Sequence, residues 1–330
     1  MTAWAEPELD GATDILLAPV SGPDFRRNLD PALFTKKPAI FSLKVIAALL
    51  PLVATSTAVA LAPGFATIVV AVVVNGLIYA HLVELQHECL HEHAYRSRRL
   101  NRLVGFMLGA PMLSSFWHYK YQHLRHHAFL GTPQNREFFN YRFHNLNTPV
   151  GFLAGCYHLG RYRDVAKDLA RSCVGRTNPD VTKTIAARKI RTEYQVLTAL
   201  LLIAAVTSAT TANAYLLWVW VVPTLLVAEP AHFLIELPEH YGLNTQSDPN
   251  VLANTRTVNA SFLGKWFTNR NDVHTAHHFH QGVPMVNVPK LHALIRDRVE
   301  AVEPSFPTFY RRVITGDISF QGDDATCMTR

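Results

Sequence analysis

Residues 65–91 read FATIVVAVVVNGLIYAHLVELQHECLH, and this stretch decides the fold. It is almost wholly apolar from Phe65 to Leu85 and then ends in His87-Glu88-Cys89-Leu90-His91. Crossing about 30 Å of hydrocarbon takes roughly 20 helical residues, so the run is long enough to span a bilayer. The preceding stretch, Ile40–Ala62, is a second such run, interrupted only by Lys44. Pro63-Gly64 leaves room for nothing but a turn between them, so the two form a helical hairpin.

Working outward, Leu103–Trp117 is apolar but short, and it contains Gly109 and Pro111. It reads as re-entrant or interfacial. A second hairpin follows, with spans near 196–210 and 215–236 joined by the small polar turn Thr211-Ala212-Asn213. With the first-hairpin spans at about 40–62 and 65–86, the predicted fold is all-α integral membrane. It has four transmembrane helices in two hairpins plus the re-entrant or interfacial helix. The predicted organisation is an N-terminal surface segment 1–38, a membrane domain 39–294 and a C-terminal segment 295–330 with a disordered tail from Gln321.

Composition agrees. Hydrophobic residues make up 49% of the 330 and charged residues only 17%, below the ~25% of soluble domains. The net charge of +6 arises from basic residues lying between the apolar runs, which suits a membrane surface and excludes a nucleic-acid partner. Arg96, Arg98, Arg99, Arg102, Lys120 and Arg125 open a basic segment between the hairpins, whereas the hairpin turns carry no Lys or Arg. The positive-inside rule therefore puts both termini and the central segment on the cytoplasmic side. Glu6, Glu8, Asp10 and Asp14 precede any apolar run, which reads against a cleaved signal peptide. Cys89, Cys156, Cys173 and Cys327 show no CxxC spacing and read as reduced thiols.

Histidine is the outlier, with 17 in the chain. His87 and His91 lie one helical turn apart. His123-Leu124-Arg125-His126-His127 follows, and His274-Thr275-Ala276-His277-His278 repeats its HxxHH spacing. By the topology above all three clusters emerge on one side of the membrane. His87–His91 alone also matches HExxH, the zinc-protease signature in which the glutamate serves as base. A catalytic zinc site needs three protein ligands, and these clusters offer eight histidines, enough for two ions with open positions. Donor type alone leaves iron, copper, zinc and nickel equally suited.

The clusters and their surroundings resemble the membrane fatty acid desaturase and hydroxylase superfamily, whose signature is three histidine boxes around two helical hairpins. The resemblance covers about Ile40 to Leu294. Tyr95-Arg96-Ser97 and Leu100–Gly105 after the first box, Asn271-Asp272 before the third and Val283-Pro284 after it look like acyl-lipid desaturases. Glu239-His240-Tyr241-Gly242-Leu243 resembles a motif of membrane alkane hydroxylases in which the histidine binds metal. The resemblance implies a di-iron centre held by His87, His91, His123, His126, His127, His240, His274, His277 and His278, in a helical cytoplasmic cap. It also implies O2 as co-substrate and electrons from a separate redox protein.

Glu84 is three residues before His87 and Glu236 four before His240. Each is expected to hydrogen-bond the outer ring nitrogen of that histidine. His93, His118, His144, His158, His280 and His292 are expected in structural or solvated roles. The basic stretch Arg161–Arg191 reads either as a dock for an acidic electron or acyl carrier or as a solvated loop near anionic lipid.

The leading expectation is a fatty acyl desaturase acting on an alkyl chain carried by lipid, coenzyme A or carrier protein. Its electron donor is expected to be of ferredoxin or rubredoxin type, served by its own reductase, since the chain shows no cysteine cluster and no GxGxxG. A di-iron hydroxylase is the alternative. A histidine-rich metal transporter or an intramembrane zinc hydrolase are rivals of other classes.

Overall fold

The computed structural model describes residues 29–319 except 140, 142, 144 and 159. The expected segment before residue 29, the tail from Gln321, His144 and Cys327 lie outside these.

The protein is mostly α-helical, and four helices are long and apolar enough to cross a membrane. These are α1 (Pro38–Leu61), α2 (Phe65–Leu90), α7 (Thr184–Thr211) and α8 (Leu217–His240). Shorter helices lie between the hairpins: α3 (Arg98–Gly109), α4 (Phe116–Phe129), α5 (Pro149–Cys156) and α6 (Gly160–Cys173). After α8 come strand β1 (Arg256–Val258), α9 (Phe262–Phe267), α10 (His274–Phe279), α11 (Val288–Ile295), β2 (Ala301–Glu303) and α12 (Phe306–Thr315).

The four spanning helices are not equivalent. Only 11% of the apolar window is buried in α1 and in α7, against 50% in α2 and 44% in α8. The outer helices therefore turn side chains such as Leu43, Leu50, Leu202 and Ile203 outward, as a lipid-facing surface requires. In α2 every residue from Ile78 to Leu90 is buried. That stretch carries His81, Glu84, His87 and Glu88, so the polar chemistry sits inside the protein.

Several boundaries differ from the sequence reading. The third helix begins at Thr184, ahead of the apolar run from about 196, and its polar first turns bury Ala186, Ile190, Glu193 and Tyr194. The fourth runs on to His240. Its first half is π-helical at Leu217–Val221 and Thr224–Ala228, with Val222 N–H bonded to Leu217 O and Glu229 N–H to Thr224 O. Pro223 lies between the two π turns and Pro230 just after the second. A proline ring clashes with the carbonyl four residues back, and widening the turn relieves that clash. The expected apolar unit Leu103–Trp117 is divided between two helices. Helix α3 ends at Gly109, Leu113 adopts a left-handed backbone (φ 54°), and Ser115 caps α4, its hydroxyl accepting from His118 N. Glu193 of α7 accepts from Ser115 Oγ at 2.9 Å and Trp117 N at 2.8 Å, a carboxylate at a helix N-terminus where the dipole favours it.

The cap closes over the ends of α2 and α8. Strands β1 and β2 pair in parallel, Thr257 opposite Val302, and the expected boundary at 294/295 falls inside α11. Buried Arg256 donates to the carbonyls of Pro238 (2.6 Å) and Tyr241 (2.8 Å) and faces Glu303, which also holds Arg312 at 2.6 Å. This ties the C-terminus of α8, where His240 sits, to the cap. Of the expected N-terminal segment 1–38, Leu29 and Leu33 pack into the cap core with Val288 and Leu291, and Asn287 Nδ2 donates to Leu33 O and Thr35 O at 2.9 Å.

At Gly76 helices α2 and α8 touch. A Cβ there would lie 2.4 Å from Val227 Cβ and 2.7 Å from the Pro223 carbonyl oxygen. Gly76→Ala should thus destabilise the protein by about 1–3 kcal/mol, the usual cost of overpacking. Thermal unfolding of the purified variant measures this, and wild-type stability would show that the two helices can part freely.

Candidate metal centre

Nine histidines converge where α2, α4, α8 and α10 meet. The end of α2 supplies His87 and His91, α4 supplies His123, His126 and His127, α8 ends on His240, and α10 supplies His274, His277 and His278. They form two groups, each with ligand atoms within 4.8 Å of one another: His87, His91, His123, His127 and His277, and separately His126, His240, His274 and His278.

Helical geometry explains the division. In each HxxHH cluster the residues four apart stay together and the third goes to the other group. His123 and His127 join the first group while His126 joins the second; His274 and His278 join the second while His277 joins the first. Residues at i and i+4 stack on one face, and the intervening residue is turned by roughly 100° per step.

The ring nitrogens fit a pair of metal ions. His123 Nε2 lies 2.8, 2.9 and 3.0 Å from the Nε2 atoms of His87, His91 and His127. In the second group His274 Nε2 is 3.1 Å from His240 Nε2, and His126 Nε2 is 3.3 Å from His278 Nε2. Two nitrogens each about 2.1 Å from one ion, at right angles, stand ~3 Å apart. Both ring nitrogens of buried His277 lack a hydrogen-bond partner among the described residues. Leaving such atoms unmet costs about 1–3 kcal/mol, which a bound cation removes. Burial first, and neighbouring imidazoles second, hold His91, His123, His127, His274, His277 and His278 well below the ordinary imidazole range. They are therefore neutral, the form that binds a metal.

The two groups differ in their outer support. In the second, His126 Nδ1 meets Asn135 Oδ1 at 2.8 Å and Glu137 Oε1 at 2.7 Å. His240 Nδ1 donates to Asn254 O at 3.0 Å and His274 Nδ1 to Asn271 Oδ1 at 2.9 Å. His278 Nδ1 of this group, and His87 Nδ1 and His277 Nδ1 of the first, have no such partner among the described residues. A pocket between the groups is lined by His87, His123, His126 and His274 together with Glu84, Glu137, Glu236 and Glu239.

The carboxylates expected behind His87 and His240 are turned elsewhere. Glu84 Oε1 and Glu236 Oε1 each lie 3.6 Å from His232 Nε2, a histidine of α8 outside both groups. Glu137, Asn135, Asn254 and Asn271 hold the outer nitrogens instead. Asn271 stands three residues before His274, a spacing visible in sequence; the other three sit outside the helices and carry no periodic signal.

The HExxH glutamate is not poised as a base. Glu88 accepts from Asn269 Nδ2 at 2.9 Å and faces Lys44 of α1 at 3.5 Å. Of the histidines left aside, His93 is buried and stacks on His91, with centroids 5.4 Å apart. His118 Nδ1 meets Tyr194 Oη at 2.8 Å.

Asn271→Ala would free the His274 ring while leaving every imidazole in place. Loss of such a partner weakens metal affinity by about 10- to 100-fold. Competition against a graded chelator should show that drop for the second ion alone. Unchanged retention of both ions would mean that Asn271 only shapes the loop before α10.

A search of curated proteins finds no match to the chain. Comparison with protein families matches residues 21–310 to the family described as fatty acid desaturase. The match takes in both hairpins and every histidine of the two groups. The chain belongs to the fatty acid desaturase family, and so to the histidine-box superfamily of membrane oxidoreductases.

Proposed function

We propose that the protein is an O2-dependent di-iron fatty acyl desaturase. The observation that carries this reading is the paired imidazole site, inside a chain of the desaturase family. On this reading His87, His91, His123, His127 and His277 hold one iron, and His126, His240, His274 and His278 the other. Bound iron would supply dioxygen activation and removal of hydrogen from an alkyl methylene.

The protein's own part is positioning and exclusion of water. Seven of the nine ligand residues are buried and His91 and His240 half-buried, so charge-bearing groups beside them act in a low dielectric. The outer nitrogens of His126, His240 and His274 are fixed by side chains and a backbone carbonyl, which sets ring orientation and tautomer. The acyl chain enters from lipid, coenzyme A or carrier protein, and a separate ferredoxin or rubredoxin type protein with its reductase delivers electrons. The basic segment between the hairpins supports a cytoplasmic position for the site and both termini.

Hydroxylation is the second reading. It is favoured by Glu239–Leu243, the string similar to alkane hydroxylases, whose His240 stands among the second group. Mass spectrometry of lipids from an expressing host, with double-bond localisation, separates an alkene from an alcohol.

After anaerobic reconstitution the protein should hold close to two irons per chain. His240→Ala leaves the second group three donors; it should insert normally, hold about one iron and lose turnover. Active protein containing zinc and no iron, or a fully active His240→Ala variant, would overturn the assignment.

A further inference from the structure

We propose that His232, Tyr141, Glu229 and Tyr162 form a proton relay from the protein surface to the pocket between the two histidine groups. The inference rests on the oxygen-dependent reading above, but not on which product is made. Desaturation combines O2, two electrons and two protons with two C–H hydrogens to give an alkene and two waters. Hydroxylation combines the same O2, electrons and protons with one C–H bond to give an alcohol and one water. Either way, protons must reach a buried site at the end of a membrane bundle, where lipid supplies none.

The contacts run in sequence. Tyr162, half-buried on α6, donates its hydroxyl hydrogen to Glu229 Oε1 at 2.7 Å. Its helix neighbours Arg163, Asp164 and Lys167 have side chains 63%, 54% and 50% exposed, so water stands beside this stretch of α6. Arg161 meets Glu229 Oε1 through Nε at 2.9 Å and through Nη2, which leaves Oε2 facing Tyr141. Tyr141 Oη lies 3.4 Å from Glu229 Oε2 and 2.9 Å from His232 Nδ1. His232 is fully buried. Its other nitrogen, Nε2, sits 3.6 Å from both Glu84 Oε1 and Glu236 Oε1, the two carboxylates that line the pocket. A shift of a few tenths of an ångström by either carboxylate closes that gap.

A network serving only to pack α6 against α8 would be satisfied along its whole length. This one stops at a buried ring nitrogen with no hydrogen-bond partner among the described residues, and that nitrogen is aimed at the pocket. Every link can take a proton on one atom and release one from another. Glu229 accepts a proton from the Tyr162 side and, by rotation of its carboxyl group, presents it to Tyr141. Tyr141 accepts it and gives its own hydrogen to His232 Nδ1. The ring then releases the Nε2 proton to Glu84 or Glu236. One proton enters at Tyr162 from water and one leaves at the pocket carboxylates.

The test uses the full-length chain and the variants Tyr141→Phe and Tyr162→Phe, which keep the rings and remove one hydroxyl each. In metal-free protein labelled with 15N-histidine, exchange of the His232 ring hydrogen into D2O is followed, with His232→Gln assigning the signal. The relay requires exchange at least about tenfold slower in both variants. In iron-loaded protein it requires unchanged iron content, turnover lowered about tenfold or more, a solvent deuterium isotope effect larger than wild type, and recovery with added imidazole. Wild-type exchange and isotope effect in both variants would overturn the relay, as would loss of iron without slowed exchange. If iron-loaded wild type consumes no O2, the oxygen-dependent reading fails; the exchange rates still decide by themselves whether the chain conducts protons.

Discussion

Everything in this molecule is subordinate to holding buried, uncharged ring nitrogens about 3 Å from one another. Without a cation between them, such nitrogens gain little: they lack full hydrogen bonds and have left water. Four separate helices must be pinned against that tendency. The pins are charged side chains that sit just outside the rings. Lys44 bridges α1 to Glu88 and Asn269, Glu193 of α7 caps α4, and Arg256 clamps the carbonyls at the end of α8 while facing Glu303. Each joins a histidine-bearing segment to an element that bears none. The bundle is a frame for the cap, and the cap in turn holds α8 closed.

The division of the HxxHH clusters follows from the same need. A helix offers one narrow face, so three histidines at i, i+3 and i+4 cannot all aim at one point. Two α-helices crossing near the site solve this by exchanging their odd members, His126 to one side and His277 to the other. The result is two groups interlocked through α4 and α10, each helix giving rings to both.

Much of this was legible in the chain. Long apolar runs broken by Pro63-Gly64 and Thr211–Asn213 mark the hairpins, because bilayer thickness leaves few alternatives for such lengths. The histidine clusters were equally plain, since spacing of three and four residues has one meaning on a helix. The carboxylates were not. Glu236 lies four residues from both His232 and His240, and sequence spacing treats the two alike. The physical tie-breaker is that side chains on a helix lean toward its N-terminus, which carries Glu236 back toward His232. Glu84 meets the same histidine across helices, a contact that no local pattern encodes. Glu137, Asn135 and Asn254 come from irregular segments, where nothing in the sequence repeats.

The π-helical turns of α8 give its apolar half an importance out of keeping with its plain composition. An α-helix advances about 100° per residue, and each π turn accommodates an additional residue. Leu217–Ala228 therefore acts as an angular spacer: it sets the compass bearing of everything after it. If the same residues wound as regular α-helix, each additional residue would instead turn Glu229, His232, Glu236 and His240 together by about 100°. The segment can thus vary in which apolar residues it uses, but not in how many. Natural variation in this protein should show free exchange of hydrophobic side chains along Leu217–Ala228 and strict conservation of its length.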